Sequence, residues 1–80
     1  MEAVIAQDDL RPILAANVAR LRRERGMTQV QLAEKVGISE QMLNRIEKAK
    51  SSPGVELLFS LADALGVSAD NLRQLPLDKS

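Results

Sequence analysis

An all-α fold of about five short helices is predicted by three observations in this sequence. Apolar residues recur at helical spacing in successive segments, four of those segments open after a Ser, Thr or Asp and three end at a Gly, and no segment alternates as a strand would. Eighty residues, 45% of them hydrophobic, suit one small compact domain and leave no room for a second.

The first helix is expected over about Leu10 to Arg25. Asp9 can cap it, Pro12 sits in a first turn where its missing N–H costs nothing, Leu10, Leu14, Val18 and Leu21 form its apolar stripe, and Gly26 stops it. Thr28 with Gln31 makes a capping-box pattern that opens a second helix, whose buried side is Leu32, Ala33 and Val36. Gly37 ends it, Ile38 plugs the turn, and Ser39 caps a third helix with Leu43 and Ile46 inward. Lys50-Ser51-Ser52-Pro53-Gly54 reads as a loop. Val55, Leu58, Leu61, Ala62 and Leu65 then mark a fourth helix ending at Gly66, with Phe59 read as core. Ser68 caps a short fifth helix carrying Leu72 and Leu75, and Pro76 closes it. The expected organisation is a tail over 1–9, a domain over 10–75 and a tail over 76–80.

Composition narrows the function. Cysteine and histidine are both absent, which removes thiolate chemistry, the commonest zinc ligands and the commonest general base, and no Gly-rich phosphate loop is present. An enzyme is therefore not expected, nor a metal or cofactor. The start of the chain has no basic segment followed by an apolar run, and nowhere do about 18 apolar residues follow one another, so a cytoplasmic protein is expected. Lys+Arg and Asp+Glu are equal at eleven each, but residues 20–50 hold eight basic residues against four acidic ones. That central section carries a net +4 and the flanks −4.

Two helices joined by a three-residue turn containing Gly make a helix-turn-helix pattern. Laid out at about 100° per residue, the third helix places Leu43, Ile46 and Glu47 inward and Gln41, Asn44, Arg45 and Lys48 outward. An amide can make a paired donor-acceptor bond to adenine, and a guanidinium can bond guanine with two hydrogens, so this face has chemistry for the edges of base pairs. Any solvated helix face carries similar residues, and the isolated pattern does not separate the two readings. Glu47 is different. A carboxylate beside Leu43 and Ile46 calls for a partner, since a buried charge is rarely left alone. At least two of Arg20, Arg23 and Arg25 are read as solvated charges at a helix end, and Met42 as core filling.

The segments LRRERGMTQVQLAEKVGISEQMLNRIEKAKSSP and LLFSLADALGVSADNL resemble the phage repressor and Cro-like helix-turn-helix family, also called XRE, over about Leu14 to Leu72. The resemblance implies a five-helix lambda-repressor-like domain that binds an operator in double-stranded DNA, as a homodimer on a palindromic site, with its third helix in the major groove. It implies base reading by Glu40, Gln41, Asn44 and Arg45, backbone contacts from Thr28, Gln29, Lys48 and Lys50, and an ion pair between Arg22 and Glu47. A nucleoid-associated repressor or controller is the function it implies. An antitoxin or adaptor that uses the same fold to bind a protein through helices 4 and 5 is the alternative.

Three features depart from the family pattern. Glu40 either favours the N-terminal dipole of helix 3 or accepts a bond from cytosine N4, and the dipole is the preferred reading. Ala49 stands where the family usually has Gly, so helix 3 is expected to run on and exit at Ser51-Ser52. The zero total charge leaves phosphate attraction to the central section and to a dimer. For that dimer, Leu72, Leu75 and Leu77 at one end, or Val4 and Ile5 at the other, are the expected apolar patch.

Overall fold

The computed structural model describes residues 10–74, and within them the chain forms five α-helices and no strand. They are α1 (Arg11–Glu24), α2 (Gln29–Val36), α3 (Glu40–Glu47), α4 (Val55–Leu65) and α5 (Ala69–Arg73). Asp9 as a cap, Pro76 as a stop, the two expected tails and the apolar residues Val4, Ile5, Leu75 and Leu77 lie outside the described residues.

Local chemistry accounts for most helix ends. Thr28 Oγ1 accepts from the Gln31 N–H at 3.0 Å while Gln31 Oε1 accepts from the Thr28 N–H at 2.8 Å, so the capping box satisfies two donors reciprocally. Ser39 and Ser68 each accept one N–H at the starts of α3 and α5. Gly37 takes a left-handed backbone (φ 89°), which turns the chain through Ile38 and Ser39 into α3. Ile38 is half-buried and packs against the core.

The end of α3 corrects the sequence reading. Helix α3 stops at Glu47, and Ala49 itself adopts φ 61°, the only non-glycine with positive φ among the described residues. The Lys50 N–H donates to Arg45 O at 2.8 Å and the Ala49 N–H to Ile46 O at 3.1 Å, which is the Schellman pattern that normally recruits Gly. Two carbonyls of the last turn are satisfied this way, and these bonds outweigh a left-handed penalty of about 1–2 kcal/mol for a residue with a Cβ.

Burial joins the five elements around one core. Leu14, Val18 and Leu21 of α1 meet Leu32 and Ala33 of α2, Leu43 and Ile46 of α3, Leu61, Ala62 and Leu65 of α4, and Leu72 of α5. Helix α1 packs on α3, α4 and α5, and α2 on α3 and α4. Four hydrophobic assignments change. Phe59 is 59% exposed and Val55 69% exposed, because Phe59 lies about 100° around α4 from Leu58 and Val55 falls toward the same side. Met42, one position before the buried Leu43, is also exposed rather than core. Leu72 is fully buried and cannot supply a two-fold patch.

One buried polar side chain organises the C-terminal end. Asn17 is 1% exposed, and its Nδ2 donates to Leu72 O and Gln74 O, both at 2.8 Å. Its Oδ1 accepts from Arg20 Nη2 at 3.3 Å. Asn17 thereby ties the end of α5, whose last carbonyls a five-residue helix cannot satisfy internally, and the residue that follows it to the middle of α1.

Candidate nucleic-acid interface

The outer face of α3 and the first turn of α2 meet at one surface because the Gly37 turn brings the second helix back across the first. A shallow depression of about 360 Å³ there is lined by Gln29, Glu40, Gln41, Asn44 and Arg45. Glu40, Gln41 and Arg45 are exposed, and Asn44 and Gln29 half-buried. These are the four expected base readers with Gln29 beside them. Glu40 lies in the first turn of α3, where its carboxylate faces the positive end of the helix dipole.

Arg45 Nε donates to Ser51 Oγ at 3.2 Å, a contact made by the backbone turn at Ala49 and Lys50. This leaves the terminal nitrogens of the guanidinium, the pair that can address guanine O6 and N7, for another partner. Lys48 and Lys50 are exposed at the exit of α3. Thr28 is exposed at the start of α2, and the side-chain bonds of its capping box leave the hydroxyl proton available.

Beneath this surface runs a buried ionic support. Arg22 Nε donates to Glu47 Oε2 at 2.7 Å and Arg22 Nη2 to Glu47 Oε1 at 3.1 Å, in a bidentate pair whose side chains are only 12% and 6% exposed. Arg22 Nη1 also donates to Met27 O at 2.8 Å, fixing the turn that leads into α2. Gln29 Nε2 donates to Glu47 Oε1 at 2.9 Å, and Gln29 Oε1 accepts from Asn44 Nδ2 at 3.3 Å. The side chain of Gln29, expected at the DNA backbone, thus bonds to Asn44 and to the ion pair.

Of Arg20, Arg23 and Arg25, at least two of which were expected as solvated charges, Arg20 and Arg25 have defined partners. Arg25 Nε donates to Leu65 O at 2.6 Å, closing the end of α4, and Arg20 Nη1 bonds to Glu24 at 3.2 Å as well as supporting Asn17. Asn17 was missed by the sequence reading, although its spacing with Leu14, Val18 and Leu21 puts a polar residue on the core stripe. Among the described residues no helix is long and apolar enough to cross a membrane.

Comparison with known proteins gives this surface a context. The helix-turn-helix family matches residues 18–72, more than half of the chain. An uncharacterised helix-turn-helix transcriptional regulator, y4dJ of Sinorhizobium fredii, is 45% identical over 60 residues, covering 75% of this chain and 78% of its own. The immunity repressor of Bacillus phage phi105 is 42% identical over 50 residues, and the match covers 62% of this chain but only 35% of the repressor. Among solved structures, the hypothetical transcription factor NHTF from Neisseria superposes with a TM-score of 0.81 at 31% identity, covering 85% of this chain and 78% of that one. The chain belongs to the helix-turn-helix family of the Cro/C1 or XRE type, whose members are DNA-binding transcription regulators and not enzymes.

Proposed function

We propose that this protein is an operator-binding repressor or controller that reads the major groove with α3 as a homodimer on a palindromic site. The single observation that carries the reading is the depression at the meeting of α2 and α3, where Gln41, Asn44 and Arg45 stand together with Gln29. Gln41 and Asn44 suit adenine, Arg45 suits guanine, and Glu40 serves the helix dipole first and a cytosine amino group second. Thr28 and the free N–H groups at the start of α2 hold one phosphate strand, where the helix dipole favours an anion. Lys48 and Lys50 hold the backbone beyond α3. Occupying its operator in the nucleoid of the cytoplasm is then how the protein acts.

The dimer is supported by a different surface from the one expected. Val55 and Phe59 are exposed beside a groove of about 530 Å³ that also takes in Leu58, Ala69, Asp70 and Arg73. Asp70 and Arg73 also line it but already pair with each other at 3.4 Å, so the exposed apolar side chains of Val55 and Phe59 are what a second copy would cover across a two-fold axis. The same patch is where an antitoxin or adaptor would bind a protein, and oligomeric state separates the two. Two copies should place their α3 helices about 34 Å apart, one turn of DNA.

Selection from random duplex DNA at moderate salt tests the reading. A two-fold symmetric motif with half-sites about one turn apart is expected. Recovery of no motif by the folded protein would overturn it in favour of a protein-binding role. Sedimentation of the wild type and of Phe59→Ser tests the dimer surface: a dimer that the substitution dissociates is expected, and a dimer indifferent to it places the interface elsewhere.

A further inference from the structure

Every hydrogen bond from Arg22 to Asn44 has a direction that follows from one charge. The Glu47 carboxylate is acceptor-only and is already held by Arg22 at 2.7 and 3.1 Å. Gln29 must therefore turn its amino end to Glu47, as the 2.9 Å contact shows, and its oxygen must face the other way. That oxygen accepts from Asn44 Nδ2 at 3.3 Å, so the Asn44 amide cannot rotate by 180° without setting two oxygens against each other. Asn44 is left with its Oδ1 and one N–H, in a fixed order, for whatever meets α3. An unsupported amide on a solvated helix would present either order.

We propose that Arg22, Glu47 and Gln29 form a positioning relay that sets the amide orientation of Asn44, making Gln29 and Glu47 specificity-determining positions for one adenine. This rests on the reading that α3 addresses base edges. Adenine offers an N7 acceptor beside an N6 donor, and only one of the two amide orders matches it in a given docking. Gln29 then has two separate tasks: its backbone N–H is free for a phosphate at the start of α2, while its side chain serves Asn44. Burial explains why the relay holds its polarity, since Glu47 and Arg22 are largely shielded from the water that would otherwise compete for these bonds.

The test uses Gln29→Ala, which keeps the Arg22–Glu47 pair, and has two readouts. In the free protein, the side-chain NH2 protons of Asn44 are followed by NMR. One proton shifted away from the position of a free Asn amide and slow to exchange is expected in the wild type, and two protons at free-amide positions with rapid exchange in the variant. On DNA, wild type and variant are titrated against the selected duplex and against duplexes with each base pair changed singly. Gln29→Ala should lose about tenfold discrimination at the one base pair beneath Asn44 and keep it at the pairs addressed by Gln41 and Arg45. An equal loss on every duplex would make Gln29 a backbone contact alone and overturn the relay. Asn44 signals that are identical in the two proteins would overturn it without touching the reading of bases by α3. A wild type that distinguishes no base pair would instead bring down the base-reading role, with the NMR signals still reporting whether the amide is held.

Discussion

Ala49 shows how much a single residue can give away to its neighbours. Its φ of 61° is tolerated because the turn supplies two backbone bonds, so replacing it by glycine should relieve strain of about 1–2 kcal/mol against a loss of about 0.5–1 kcal/mol from the freer unfolded chain. Ala49→Gly is expected to raise stability by roughly 0.5–1 kcal/mol in thermal denaturation, with no change in the contacts of α3. The opposite holds at Glu47. Removing its carboxylate strands Arg22, which is only 12% exposed, and Glu47→Ala should destabilise the fold by about 3–5 kcal/mol, while Glu34→Ala on the exposed face of α2 should stay within about 0.5 kcal/mol. Equal melting temperatures for these two variants would remove the ion pair from the account of stability.

At the scale of the element, the shortest helix depends most on others. The five residues of α5 cannot hold themselves in water, and Asn17 donates to the Leu72 carbonyl in the helix and to the Gln74 carbonyl just beyond it. Asn17→Leu should cost about 1–3 kcal/mol for each carbonyl left without a partner and raise amide exchange in α5 before α2 or α3. Uniform exchange across the five helices would contradict this. The starts of α2, α3 and α5 and the turn at Gly37 were legible in the sequence, because Thr28, Ser39, Ser68 and Gly37 act on backbone groups within a few residues. The stop of α3 was not, since no local rule weighs the Lys50-to-Arg45 bond against the strain at Ala49. Phe59 was misplaced for a related reason: its hydrophobicity was read as burial, whereas the angle around α4 decides which side faces the core. The spacing of Asn17 could have marked it as buried, but its partners lie more than 50 positions away and depend on how α5 docks. Of the candidate site, the outer face of α3 was legible from the helical angle alone. The bonds from Gln29 to Glu47 and Asn44 were not, since they exist only once α2 and α3 are packed together.

Over the whole molecule, a zero net charge hides a positive centre between negative flanks. Attraction to DNA is then local, and its salt dependence counts the phosphates the protein neutralises. If Lys48 and Lys50 each neutralise one phosphate per subunit, a dimer should show a slope of log K against log salt of about −3.6, and replacing either lysine by alanine should reduce it by about 1.8 on specific and unrelated duplexes alike. A lysine variant that changed one base preference instead would have a reading role. The central claim is narrower: the outer face of α3 distinguishes sequences, and the start of α2 with the two lysines holds the backbone. The most direct measurement is a pair of titrations at one salt concentration, on the selected duplex and on a scrambled one of equal length, for wild type and a folded Gln41→Ala/Asn44→Ala/Arg45→Ala variant. The account predicts that the variant binds the scrambled duplex much as wild type does and loses nearly all of the preference for the selected one, each good base contact being worth about 1–3 kcal/mol. A variant that still prefers the selected duplex as strongly as wild type would show that the sequence is read elsewhere.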